Sequence, residues 1–273
     1  MTKGQRNLTL AAVLIFALVA LGYALRTTPD AATGPTPGTS TSPSGSQASP
    51  SSSADPSASG SASASTSTSG ASPSAGLGSA IKTVVFVGDS FTAGIGATTP
   101  DKRWSTLVAI GHGWTEKNLG HPQSGYASYG TQGVCAAADS CPNYLAVVPQ
   151  VVAAAPELVI VSGGGNDAFL DQTAVKTNVD QTIAGIRAGL PNAKIVVVNP
   201  WWDMRPVPDT LATVAESIKT AASAQGATWA DTGQPIVGKV DLVTSDGLQA
   251  NDAGHAAMAK AIDGALKLAG ITD

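Results

Sequence analysis

The sequence predicts an α/β fold for residues 80–273, a three-layer α/β/α sandwich on a mostly parallel five-stranded sheet. Three observations carry the prediction. Short apolar runs rich in β-branched residues, Val84-Val-Phe-Val87, Leu158-Val-Ile-Val161 and Ile195-Val-Val-Val198, read as strands buried on both faces. Between them, apolar residues such as Val175, Val179, Ile183 and Ile186 recur at helical spacing. Each run also stops at small or polar residues: Gly88-Asp-Ser90, Ser162-Gly-Gly-Gly-Asn-Asp167 and Asn199-Pro200. An open parallel sheet binds its ligands beyond such carboxyl ends.

The chain begins with a short basic segment, residues 1–7, expected in the cytoplasm. An uncharged run of eighteen residues follows, Leu8 to Leu25. That length is at the short edge for a membrane span and long for the core of a signal peptide. Lys3 and Arg6 precede the run and only Arg26 follows it, which orients the rest of the chain outward. An uncleaved single-pass anchor in the cell membrane with an extracellular domain is the first expectation, and secretion after signal cleavage the second. Residues 26–79 form a linker rich in Ser, Ala, Thr, Pro and Gly. Such a segment has little to bury and is expected to be disordered. A flexible coil of about fifty residues spans on the order of 40 Å. Its Ser, Thr and Pro content suits an O-glycosylated stalk, with a bare tether as the simpler reading.

The remainder suits one domain. Lys3, Arg6 and Arg26 are the only cations before residue 80, and Asp30 and Asp55 the only anions. Of fifteen cations and nineteen anions in the chain, twelve and seventeen therefore fall in the domain. A net charge of minus five argues against nucleic acid and against anionic lipid as partners. The membrane is then met only through the N-terminal segment. Cys135 and Cys141 are the only cysteines. In an exported domain, this pair is expected to form a small disulfide rather than a metal site. It would stiffen the loop of Ser124 to Pro142.

In chain order, the first strand is followed by a helix over Arg103 to Ile110, with Trp104, Leu107 and Val108 on one face. Glu116 to Leu119 is a short strand. A helix covers part of Tyr144 to Ala154, broken or bent by Pro149. After the strands at 158–161 and 195–198 comes a helix marked by Val207, Leu211, Val214 and Ile218. Thr228 to Ala230 is the last strand. A closing helix starts near Asn251 and turns Met258, Ile262 and Leu266 to the core.

Ser90 stands where the first strand stops, and Gly88 allows a tight turn there. The plain alternative is a serine that merely caps the next helix. Three further blocks change the balance: Asn118-Leu-Gly120 leading to Ser124-Gly125, Gly164-Gly-Asn-Asp167, and Asp246-Gly-Leu-Gln-Ala-Asn-Asp-Ala-Gly-His255. In this order, the blocks resemble the SGNH (GDSL) hydrolase superfamily, whose fold is flavodoxin-like, over the whole stretch from Ile81 onward. The resemblance implies a serine esterase working through an acyl-enzyme, without metal or organic cofactor. It makes Ser90 the nucleophile, with its own N–H in the oxyanion hole, and Asn166 the side-chain donor to the oxyanion. Gly125 matches the glycine of the second block, with Gly120 the fallback, because this loop runs two residues beyond the usual Asn-x-Gly-x-x-Gly. Fixed donors aimed at the developing oxyanion lower the barrier by several kcal/mol. The simpler reading of Gly163 to Gly165 is a turn with Asn166 as a left-handed cap.

The sequence departs from the family in the last block, where Asp-x-x-His is usual. Here Asp246-Gly-Leu is followed by Gln249, so the base histidine is missing from its place. A serine hydroxyl is a weak nucleophile near neutral pH and needs such a base. Asp252-Ala-Gly-His255 repeats the spacing, which makes His255 the base and Asp252 its orienting acid. Against this, His255 lies on the apolar face of the closing helix. Six helical residues rise about 9 Å, a long way for a side chain to cover. His121, in the second block, is the other candidate, and a weakened or lost base is the third possibility. Trp201-Trp202 after the third long strand either border the same mouth, able to stack on a sugar, or cover the sheet edge. The expected substrate is a small acyl ester or an acylated surface glycan, with acetyl among the acyl groups expected. The reading from another class is a surface-displayed binding domain that keeps the pocket and has lost turnover.

Overall fold

The computed structural model describes residues 81–131, 135 and 141–272. The expectations for residues 1–7, 8–25 and 26–79 fall outside the described residues. Among the described residues, no helix is long and apolar enough to cross a membrane.

Five parallel strands form one sheet in the order β2-β1-β3-β4-β5. They are β1 (Thr83–Gly88), β2 (Thr115–Gly120), β3 (Leu158–Val161), β4 (Lys194–Val198) and β5 (Thr228–Ala230). The helices between them are α1 (Ser90–Ala93), α2 (Trp104–His112), α3 (Tyr144–Ala153), α4 (Gln172–Gly189), α5 (Thr210–Ala224) and α6 (Asp252–Leu268). The alternation of strand and helix read from the sequence is therefore the observed one.

Strand alternation divides the core into two layers. Val84 and Phe86 of β1 point to one face, where Trp104, Val108, Met258 and Ile262 of α2 and α6 cover them. Val85 and Val87 point to the other face, against α3, α4 and α5 through Tyr144, Val147, Ile183 and Ile218. Burying each of the larger aliphatic or aromatic side chains contributes about 1.5–3 kcal/mol. Edge strand β2, Thr115-Glu-Lys-Asn-Leu-Gly120, is only half-buried, which explains its weak apolar signal.

Two expectations need correction. Pro149 lies inside α3 without ending it. It removes one helical hydrogen bond, but the buried Tyr144, Val147 and Val151 hold the helix across the gap. Val207 is half-exposed and precedes α5, which starts only after Pro208.

Because all strands run the same way, their carboxyl ends meet at one edge. The pairings Gly88↔Gly120 and Val87↔Val161 set the Ser90, Asn118 and Asn166 blocks side by side there.

Candidate active site

Ser90 is the first residue of α1, and its hydroxyl does not cap that helix. Asp89 is the cap, its Oδ1 accepting the Phe91 N–H at 3.0 Å. The serine hydroxyl is left for the cleft. Gly88 is required by packing rather than by a turn: a Cβ there would meet Thr92 Oγ1 at 2.1 Å and the Ser162 carbonyl at 2.8 Å.

The Ser90 Oγ accepts the backbone N–H of Gln123 at 3.0 Å. Gln123 is one of two non-glycine residues at positive φ among the described residues, at 61°. It lies five residues after Asn118, where the final glycine of an unextended Asn-x-Gly-x-x-Gly would fall. The second block therefore keeps the family spacing, and a glutamine sits in a left-handed conformation that favours glycine. Plain counting from Asn118 could have found it. The glycines expected in this role are engaged elsewhere. The N–H of Gly125 donates to the Ser128 carbonyl at 2.9 Å. The N–H of Gly120 donates to Asn118 Oδ1 at 2.8 Å.

Gly125 has another function. A Cβ on it would stand 2.4 Å from Asp167 Oδ2. That carboxylate accepts the N–H groups of Tyr126, Ala127 and Ser128 at 2.7, 3.0 and 2.8 Å and so pins the loop after Gln123. Asn166 is in a short 3-10 turn (Gly165–Phe169), while Gly163 and Gly164 take the left-handed conformations. Its Nδ2 donates to the Ser124 carbonyl at 2.8 Å, which leaves the second N–H of that amide for the cleft that Asn166 lines. Two carboxyls lie beneath this region. Burial pushes Asp89 up to about 7, helped by the charge of Asp167 and opposed by the Phe91 N–H. Burial also raises Asp167 despite its three N–H donors.

The cleft has a volume of about 370 Å³ and holds Ser90, Gln123, Asn166, Trp202, Arg205 and Gln249 among its lining residues, with no histidine. Gln249 thus occupies the place expected of the base, and its Oε1 is buried without a hydrogen-bond partner. Asp246 turns away from it, its carboxylate accepting Thr244 Oγ1 at 2.6 Å and the Leu248 N–H at 3.0 Å.

His255 does not reach Ser90. The ring is fully buried under α2, Nδ1 accepting the Trp104 N–H at 3.4 Å and Nε2 donating to the Ile95 carbonyl at 3.3 Å. Both nitrogens are committed to backbone, and burial holds the ring below the ordinary histidine range. Asp252 does not orient it, since its carboxylate accepts the N–H and hydroxyl of Thr98 at 2.8 and 2.7 Å. The Asp252–His255 dyad expected from spacing is therefore not formed. His121 fares no better: its Nδ1 lies 3.7 Å from Cys135 Sγ, and it does not line the cleft. The Cys135–Cys141 disulfide itself is present.

Trp201 and Trp202 are 2% and 3% exposed. Trp201 packs edge-on against Trp104 at 5.3 Å between ring centroids and donates to Thr232 Oγ1. Trp201 packs against the sheet with Phe86, whereas Trp202 packs with Ala168 and Leu211, and both nearly buried rings line the cleft. Tyr129, 60% exposed, is the open aromatic at the mouth.

A family model for the GDSL-like lipase/acylhydrolase family matches residues 86–257. The chain belongs to that family. A GDSL lipase of Mycobacterium tuberculosis is 26% identical over 196 residues, covering 67% of this chain and 80% of the relative. Among solved structures, the esterase EstA of a Pseudoalteromonas species aligns with a TM-score of 0.56 at 16% identity, over 68% of this chain and 97% of that one. A carbohydrate acetylesterase of Sinorhizobium meliloti aligns at 0.51 and 18% identity, over 70% and 99%. Identities this low show a common fold. Family and fold together support an ester hydrolase.

Proposed function

We propose that this family member is a membrane-tethered extracellular serine esterase whose cleft has a nucleophile and an oxyanion hole but no imidazole base. The supporting observation is the hydrogen bond from the Gln123 N–H to Ser90 Oγ in a cleft that Asn166 also lines. The hydroxyl oxygen attacks the ester carbonyl carbon, and the charge developing on the carbonyl oxygen is met by N–H groups of Gln123 and Asn166. Collapse expels the alkoxide, which takes a proton from solvent in exchange for the one Ser90 gives up to it, and leaves an acyl-serine ester. Water then cleaves the acyl-enzyme and restores the hydroxyl. Without an imidazole, the serine proton leaves to solvent, so turnover is slow by about the 10² to 10⁴ that a general base contributes.

The N-terminal apolar run and the polar linker support a position outside the cell, within reach of acylated surface glycans. The fold shared with a carbohydrate acetylesterase fits an acetyl group on such a glycan. A second reading, a displayed binding domain without turnover, is favoured by Gln249 in the base position. A chromogenic short-chain ester assay on the wild type and on Ser90→Ala decides between them. Slow turnover that disappears in Ser90→Ala is expected. Equal rates in both would remove Ser90 as nucleophile, and no turnover in the wild type would favour the binding domain.

A further inference from the structure

The turn after β4 carries an ion pair that the esterase chemistry does not use. The Asp203 carboxylate accepts the Arg205 backbone N–H at 2.8 Å, Nε at 3.0 and 2.9 Å, and Nη2 at 2.6 Å. The two side chains differ sharply in exposure, 7% for Asp203 and 53% for Arg205. The guanidinium carbon also lies 4.9 Å over the Trp202 ring, whose Nε1 donates to the Arg205 carbonyl at 3.0 Å. An arginine side chain loses considerable rotamer freedom on ordering, and here that loss is met within the protein before any ligand arrives.

The pair is neutral as a whole but not on its surface. With four contacts, both oxygens of Asp203 are saturated and turned inward. Among the described residues, Arg205 Nη1 has no hydrogen-bond partner, so the outer edge of the guanidinium keeps free donors. It is also the only cation among the residues lining the Ser90 cleft, in a chain of net charge −4. The nearby acids do not oppose it equally. Asp203 is tied to it, and Asp89 is buried deep beneath the serine. The exposed edge is therefore donor-only and positive, and the guanidinium carbon is held 4.9 Å over an aromatic face. That is the arrangement that receives a planar carboxylate.

We propose that Arg205 forms an anion subsite in the Ser90 cleft that takes the free carboxylate of an ester substrate, so the preferred substrates are esters bearing a second, ionised acid group. The proposal rests on the reading of Ser90 as the ester-cleaving residue. It differs from a surface ion pair that merely holds the turn, because such a pair would not distinguish a charged substrate from a neutral one of the same shape.

The test uses the full chain and two substrate pairs. Mono-4-nitrophenyl glutarate against its methyl ester places the charge on the acyl side, read by 4-nitrophenolate release. O-Acetyl-lactate against its methyl ester places it on the alcohol side, read by acetate release. The expected result is a preference of about tenfold or more in kcat/KM for the charged member of at least one pair, the size of a charge-assisted hydrogen bond. The preference should shrink as salt is raised, fall to near one in Arg205→Gln, and be partly kept in Arg205→Lys. Unchanged melting temperatures would show that the variants are folded. Equal kcat/KM within both pairs, or a preference that survives in Arg205→Gln, would overturn the subsite. If the wild type cleaves no ester at all, calorimetry of monomethyl glutarate and O-acetyl-lactate decides the matter. Binding that is lost in Arg205→Gln upholds the subsite while the esterase reading fails, and equal or absent binding removes the subsite too.

Discussion

The loops after β1, β2 and β3 and the loop before α6 lie at the same edge of the sheet, yet they are built to different standards. Around Ser90, the groups that shape the cleft are tied down, while His121 Nε2 and Tyr126 Oη are buried without a hydrogen-bond partner among the described residues. Asp89 caps α1, Asp167 gathers three N–H groups, and Asn166 is anchored to Ser124. Around Gln249, the acid that should orient a base faces its own turn, and the amide oxygen is buried without a partner. The nucleophile with its oxyanion donors and the position of the base are thus carried on separate elements. One can be retained while the other is replaced, because the hydrogen bonds that join the two segments, Thr98 to Asp252 and His255 to the Ile95 carbonyl, involve neither Ser90 nor Gln249.

Removing a donor from the well-built side should have the larger effect. Asn166→Ala is expected to lower kcat by roughly a hundredfold or more with little change in KM, as loss of an oxyanion donor does. Steady-state kinetics on one short-chain ester checks this, and a change confined to KM would reduce Asn166 to a binding residue. A smaller effect should appear in stability. Asp89 has an ordinary value of 3.8 and is held at about 7 in the fold. Between those values the folded state binds more protons than the unfolded one, so stability falls as pH rises from about 4 to 7. Asparagine keeps the cap on Phe91 and cannot ionise. Relative to Asp89→Asn, the wild type should lose up to about 1.4 kcal/mol per pH unit across that window. Denaturant unfolding at several pH values measures the slope, and parallel curves would contradict the buried, shifted carboxyl. The Asp167 charge helps to raise Asp89, so the difference between the two proteins reads the Asp89 shift together with that coupling.

Much of this was legible in the sequence. Continuous apolar runs identified β1, β3 and β4 because both faces of a central parallel strand are buried. Ser90 and Asn166 each follow such a strand, but their expected roles rest on the resemblance of the ordered blocks to the family. What the sequence obscured has physical causes. Gln123 was hidden because its role rests on a backbone N–H and a positive φ, which the identity of its side chain does not advertise. Gly125 drew attention as a glycine, but its missing Cβ makes room for Asp167 and not for substrate. Asp252 and His255 have the spacing of a dyad. That spacing, on the first turn of α6, turns the acid to Thr98 and the imidazole into the core beside Trp104. Trp201 shows the same lesson, since an aromatic at a cleft can be there to cover the sheet, as Trp201 does beside Phe86 and Trp104.

The most direct test of the missing base is Gln249→His, measured with the wild type on one chromogenic ester across pH 5 to 9. If the native cleft has no imidazole, the new one is placed beside Ser90 with Asp246 three residues before it. Asp246 would have to turn from Thr244 to orient it, as the acid does in a Ser-His-Asp triad. The expected result is a gain in kcat/KM of about 10² to 10⁴ and a new inflection near the ordinary histidine pKa of about 6.5. A wild type that already shows that inflection, loses it in His255→Ala and gains nothing from Gln249→His would mean that the native enzyme already has an imidazole base.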